Sequence, residues 1–445
     1  MRGARLTVGR NEIPPLVVIS LALTNLSVAQ IGDFRLMVFW PILLVALGTC
    51  AKFKDGAQVP STAILFLLAV ALMLFSTLVN LPGLKTTSLA LTLGWTVYWY
   101  FLVTLGRQRL AHDMDQTLSR VAKIYFLSLL LSALMVMLGW QESPLPNFLG
   151  WIYDQNQGQV RYYGPTSEPS YAALILGITG LGILRWRHVH RLPARCRRSD
   201  LVFMGILISL LFLRSIYGYV VALVLLSAFA AQTTRRSGAG VLLTLALVPF
   251  LPFFAELLPQ DSRFRMIFTQ LSHLSFVGFR EVDSSAYMRF GPSIEMLSRV
   301  SLGQPEFWIG HGAGSAQLFF GNIYRDLVAH DLSTMDFGFF PSFLFDYGAL
   351  ACLVILLYLF TISQGAFSTQ ARFIIFIALF NCNFNTALFW YLITVVILTS
   401  PKAVTVERDG SRLTPGIDDG IRPAHIASSI TNPKHTTLLR YKQKS

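Results

Sequence analysis

Charge is what this chain has least of. Only 13% of its 445 residues are Asp, Glu, Lys or Arg, against roughly 25% in an ordinary soluble domain. With 53% hydrophobic residues and a mean hydropathy of +0.55, the scarcity excludes a conventional water-soluble globule. Cysteine is nearly absent too. Cys50, Cys196, Cys352 and Cys382 fall in apolar runs or a basic loop and form no CxxC pair, which excludes a disulfide framework and a zinc site and reads as inert thiols. Neither an internal repeat nor a low-complexity segment is present, and this counts against a carrier built from repeated helix sets.

What the chain has in abundance is apolar runs. A hydrocarbon core about 30 Å thick takes ~20 apolar residues per helix, and twelve spans are predicted. They cover 13–30, 34–50, 61–81, 88–106, 120–140, 169–184, 200–214, 216–231, 239–258, 338–360, 372–384 and 387–400. The first, from Ile13, has no small-residue cleavage pattern and is followed at once by another span, so a retained helix is expected. The expected fold class is therefore all-α, a polytopic membrane helix bundle. Residues 1–12 and 401–445 are expected to be cytoplasmic tails.

The net charge of +13 would suit a nucleic-acid partner if it formed one patch. It is instead scattered between apolar runs, where Lys and Arg set topology, so no nucleic-acid partner is expected. With the N-terminus inside, the inside loops hold 18 Lys and Arg and the short outside loops hold four: Arg35, Lys85, Arg161 and Arg214. Two segments are left outside, 141–168 and 259–337. Long connections of this kind usually carry function. Helix-like stretches around 263–274 and 284–300 make the second a helical cap over the outer face.

Three constellations in or beside these loops could carry chemistry. Arg161-Tyr-Tyr-Gly164-Pro-Thr-Ser-Glu168-Pro169-Ser170-Tyr171 runs into the sixth span. It reads either as a helix cap, with Pro169 in the first turn and Glu168 at the positive helix end, or as an arginine for phosphate beside a carboxylate for a proton. Ser285-x-x-x-Arg289 precedes Gly310-His311-Gly312-Ala313-Gly314. Those glycines permit a tight turn or make room for a ligand, and no strand–turn–helix context supports a dinucleotide loop. His311 is a loop histidine or a base. Arg214, at an outer helix end before Ser215 and Gly218, either snorkels or lines a polar cavity. The long loop carries eight acids against six arginines, so selected arginines rather than bulk charge would bind an anion, using the planar bidentate fork that suits a diphosphate.

Arg-x-x-Gly-x-x-x-Glu-Pro-Ser (Arg161, Gly164, Glu168, Pro169, Ser170) resembles the signature of the Wzy-type polysaccharide polymerases and the related O-antigen ligases. The Arg214-Ser215 turn with Gly218 is similar as well. So are Ser285 and Arg289 in a long late loop, Gly310-x-Gly312-x-Gly314, and Phe343-x-x-Asp346-Tyr347-Gly348 in the helix that follows.

The resemblance implies an inverting, metal-independent glycosyltransferase with no cofactor and a GT-C-like bundle, in a bacterial inner membrane with its site facing the periplasm. Its donor would be a glycan on undecaprenyl diphosphate and its acceptor a second lipid-linked repeat unit, with a chain-length regulator and a flippase as possible partners. Arg161, Arg214 and Arg289 are then expected to bind the diphosphate, with Glu168 as first choice of base and His311 as second. A ligase moving finished glycan to another acceptor, or a lipid-linked sugar transporter, are the alternatives.

Overall fold

Apolar runs separated by short polar connections fold as helices, because only an internally hydrogen-bonded backbone can sit among so many apolar neighbours. In the computed structural model the described residues are 13–23, 27–31, 34–37, 40, 61–81, 85–103, 114–138, 153–156, 159–162, 165–166, 168–190, 197–234, 265, 284–299, 301–324 and 337–400. The order is α1 (Ile13–Ala22), β1 (Ser27–Ile31), β2 (Phe34–Met37), α2 (Ala63–Val79), α3 (Thr86–Phe101), α4 (Met114–Met137), β3 (Tyr153–Asn156), β4 (Gln159–Tyr162) and α5 (Pro169–Val189). It continues with α6 (Arg197–Phe212), α7 (Ile216–Thr234), α8 (Ser284–Arg299), α9 (Pro305–Ile309), α10 (Ser315–Ile323), α11 (Phe339–Ile362), α12 (Ser368–Leu379) and α13 (Ala387–Leu398).

Helices at ten of the twelve predicted positions are present. The other two positions, 34–50 and 239–258, lie almost wholly outside the described residues, as do both tails and all but Arg265 of the stretch 263–274. Among the described residues two helices, α4 and α11, are long and apolar enough to cross a membrane, and five shorter ones are apolar.

The fold is a helical bundle, as the all-α expectation has it, with one addition. Two antiparallel hairpins are present, β1 with β2 and β3 with β4, each joined by two residues. The first cuts the opening span short at Ala22, and β2 occupies the start of the second span. The reason is local. Gly32-Asp33 and Gln157-Gly158 are the connecting pairs, and glycine in a two-residue connection supplies the backbone that hairpins need.

At the centre stand α5 and α13. All twelve residues of α13 and 16 of the 21 in α5 are buried. Thr179 and Tyr391 share a hydrogen bond of 2.7 Å, and Gly182 lies against Val395 and Thr399, so the two run side by side in the same direction. Arg185, near the end of α5, donates to the carbonyls of Ser363 and Gln364 just past α11, which gives α11 that direction too.

The N-termini of α5, α11 and α13 therefore share one end of the bundle. The opposite end holds Arg185, an Arg187–Asp115 pair at 3.5 Å and Arg372 over the ring of Phe360. Three buried indoles have partners: Trp99 Nε1 donates to Tyr358, Trp95 Nε1 to the Asn385 carbonyl and Trp390 Nε1 to the Phe384 carbonyl. Cys352 and Cys382 are buried free thiols, as expected, whereas Cys50 and Cys196 lie outside the described residues.

Close helix approach explains the glycines of α5. A Cβ on Gly177 would collide with Val221 of α7, and one on Gly180 would come within 2.9 Å of Leu225. Gly177→Leu should cost about 1–3 kcal/mol by overpacking. Gly205→Ala, whose Cβ would meet only Phe126 at an ordinary 3.9 Å, should leave stability unchanged or raise it. Thermal unfolding of the purified chain in detergent checks both.

Candidate functional site

The segment Gly310–Gly314 is built as a backbone-on-backbone contact with α11. That helix is interrupted at Gly348, whose φ of 78° and ψ of 172° belong to a region open only to glycine. Gly310 takes nearly the same conformation, φ 87° and ψ −175°. The two glycines face each other. A Cβ on Gly310 would strike the Asp346 carbonyl, and one on Gly348 would strike the Trp308 carbonyl. Gly312 and Gly314, also at positive φ, lie against Asn80 and Lys85, where added Cβ atoms would approach to 3.0 and 2.6 Å. The glycines thus make room for α11, α2 and the start of α3.

Asp346 holds this segment in place. Its carboxylate accepts the Gly314 N–H at 3.0 Å and the Ala316 N–H at 2.7 Å, buried donors at the start of α10 that have no partner within the helix. A negative group on a helix N-terminus is favourable both by hydrogen bonding and by the helix dipole. The backbone of the same residue is also engaged, its carbonyl accepting from the Gly312 N–H at 2.8 Å and from Ser76 Oγ at 2.9 Å. Around it, Asn80 donates to the Gly310 carbonyl, the Lys85 N–H donates to the Ala313 carbonyl, and Lys85 Nζ reaches Gln317 at 2.5 Å. Three chain segments, α2, Gly310–Gly314 and the start of α10, therefore bond directly to Asp346, and the start of α3 joins them through Ala313 and Gln317.

His311 rides on this arrangement. Its N–H donates to the Phe345 carbonyl at 2.9 Å, and its ring stacks on Phe345 with centroids 4.1 Å apart. Nδ1 lies 3.1 Å from that same carbonyl. A carbonyl only accepts, so Nδ1 carries the hydrogen and the lone pair belongs to Nε2. A half-buried imidazole fixed this way has the tautomer that a base needs.

Glu168, the Arg214 turn and the hairpin of Arg161 stand at the end of the bundle where α5 begins. Glu168 is the extended residue before α5, with Pro169 at the first helical position and no bond from its own side chain to the helix backbone. Its carboxylate accepts instead from Ser170 Oγ at 3.0 Å. The helix-capping reading of Glu168 holds for its position, with Pro169 in the first turn, while its side chain turns to the serine rather than to the helix backbone.

Arg214 is exposed in the turn between α6 and α7, in a left-handed conformation at φ 46°. Gly218 lets the turn close, since a Cβ there would lie 2.5 Å from the Leu210 carbonyl. Arg161 sits on β4 opposite Asp154, and the neighbouring Tyr162 meets Phe212 at the end of α6, centroids 6.1 Å apart. Arg289 is on α8, which packs on α11. The side chains of Arg161 and Arg289 lie outside the described residues.

No family model, curated protein or solved structure matches the chain.

The structure thus brings the two glycine-containing motifs, Gly310–Gly314 and Phe343–Gly348, into direct contact and gathers Glu168 with the Arg214 turn at the same end. No described contact joins Glu168 to His311. Among the described residues no group of three or more His, Cys, Asp or Glu is placed to hold a metal ion.

The sequence assigns no chemical role to Asn80, Lys85 or Asp346, Lys85 entering it only as an outside-loop charge and Asp346 only within a motif of the resemblance. For Asp346 the signal was there: it is the lone charge in the predicted span 338–360, and an acid in such a run marks a functional or structural demand. Nothing comparable singled out Asn80.

Asp346→Ala would strand two buried N–H donors, at about 1–3 kcal/mol each. It should lower the melting temperature and open the segment 310–316 to protease before the rest of the bundle. Asp346→Asn, with one oxygen for two donors, should fall between. Gly348→Ala should be at least as damaging as Asp346→Ala, and a melt indistinguishable from wild type for either would contradict this geometry.

Proposed function

We propose that the chain is a twelve-span membrane glycosyltransferase that polymerises undecaprenyl-diphosphate-linked repeat units at the outer face of a bacterial cell membrane. The observation that carries the proposal is the locking together of Gly310–Gly314 and Phe343–Gly348. These motifs are distant in sequence, are shared with the polymerases in the resemblance, and meet at the bundle end that holds Glu168 and Arg214.

Lipid embedding is supported by apolar faces bare of protein, such as Ile64, Leu67 and Phe75 on α2 and Leu127, Leu130 and Leu134 on α4. Faces of this extent on a soluble chain would drive aggregation. The arginines at the opposite end agree with the charge bias that puts that end in the cytoplasm.

The chemistry follows from the parts. An acceptor sugar hydroxyl attacks the anomeric carbon of the donor, whose bond to the diphosphate oxygen breaks. The diphosphate leaves on its lipid with one more negative charge, which Arg161, Arg214 and Arg289 would balance. The hydroxyl proton passes to the Glu168 carboxylate or to His311 Nε2, the two candidate bases. Attack opposite the leaving group inverts the anomeric centre, and a helical cap aligns two large substrates.

Deleting the gene should leave single lipid-linked repeat units and abolish long polymer. Long polymer retained on the lipid carrier would instead identify a ligase. Arg289→Lys keeps the charge but loses the fork and should retain at most a minor fraction of polymer, and Arg289→Ala essentially none. If the arginine only pairs on a solvated face, its loss costs about 0–1 kcal/mol. Near-normal polymer from Arg289→Ala, at equal protein levels in the membrane, would remove it from the site. Fusions to a reporter active only outside the membrane should be active near residue 270 and silent near residue 192.

A further inference from the structure

The segment that leads into Gly310–Gly314 has an apolar surface that the proposed reaction does not use. Leu302 is 69% exposed and Trp308 44% exposed, although both are large and apolar. They belong together, because Trp308 Nε1 donates to the Leu302 carbonyl at 3.0 Å. That bond satisfies the polar atom of the indole from within, so the ring can face an apolar medium without stranding a donor.

Position supplies the second observation. The Trp308 carbonyl abuts Gly348, where α11 is broken, and α9 also packs on α2. Just beyond Gly348 a bare stripe begins on α11, Leu350, Leu353, Leu357 and Phe360, at helical spacing. The last turn of α2, beside it, exposes Leu78 and Val79. Trp308 therefore continues an apolar surface that runs along the bundle, at the level where α2 ends. Glu306 is exposed but stands two residues away, about 200° around the helix.

Resting on the membrane reading above, we infer that α9 and the preceding Leu302 form an in-plane anchor, seated at the boundary of lipid headgroups and acyl chains in the outer leaflet. Tryptophan at that depth matches its apolar ring to hydrocarbon and its polar edge to the interface. The anchor fixes the base of the outer loop, and with it His311, at the height where a lipid-linked diphosphate emerges from the bilayer. The occupant of this surface is lipid, not a protein.

The test is fluorescence quenching of the full chain reconstituted in phosphatidylcholine–phosphatidylglycerol vesicles, with acyl chains brominated either near the headgroup or deep in the tail. Iodide serves as the aqueous quencher. The difference between wild type and Trp308→Phe isolates the emission of Trp308. It should be quenched by shallow bromine more than by deep bromine, and little by iodide.

Leu302→Trp in the Trp308→Phe chain gives a second reporter at the same surface and should behave alike. Leu353→Trp in that chain should be quenched chiefly by deep bromine. If Leu353→Trp responds in this way while Trp308 and Leu302→Trp respond to iodide alone, or to neither quencher, the anchor is refuted and the membrane bundle stands. If Leu353→Trp is not quenched by bromine, the bundle is not in lipid and both readings fall.

Discussion

The constraint on which this structure depends is a carboxylate in an apolar helix that must satisfy its hydrogen-bonding capacity without water. Asp346 does so by accepting the first N–H groups of α10, which have the converse problem of donors without acceptors. Each solves the other. That exchange requires the Gly310–Gly314 backbone to come within contact distance of α11, and the approach in turn requires glycine at 310 and 348. The break in α11 at Gly348 is part of the same solution, because it opens the helix where the incoming chain is received. Remove the carboxylate and the glycines lose their reason; replace either glycine and the carboxylate loses its partners.

Much of the helical layout is legible in the sequence because a long apolar run has few alternatives. The positions of α2, α5, α7, α11 and α13 follow from hydropathy alone, to within a few residues at their ends. The hairpins are less visible: Ser27–Met37 is a short stretch between two strongly apolar runs, and Gln30, Gly32-Asp33 and Arg35 are its signs of an interruption. At the site, the sequence offers residue types but not their grouping. Gly310, Gly312 and Gly314 are compatible with a ligand cradle until Asn80, Lys85 and Asp346 are seen to occupy the space a cradle would leave. Those three come from the ends of α2 and α3 and from within α11, and no local pattern brings them together. His311 is the converse case, since its tautomer depends on one carbonyl in α11, that of Phe345.

This arrangement separates two tasks within the end of the bundle that holds the N-termini of α5, α11 and α13. The Asp346 junction is rigid and fully paired, suited to holding a side chain at a fixed height. Glu168 and Arg214 stand at the helix ends of α5, α6 and α7, where a tight turn and a hairpin rather than a buried charge set their positions. The transfer proposed above, between two lipid-linked substrates, would need both properties, a fixed reference and a surface that admits large ligands.

The most direct measurement is native-state amide hydrogen exchange on the unmodified chain in lipid. If Asp346 clamps the loop, the amides of Gly312, Gly314 and Ala316 exchange as slowly as those in the buried part of α11, although they lie in and next to a glycine-rich connection. Exchange of these three amides at the rate of an open loop, while α11 stays protected, would contradict the account.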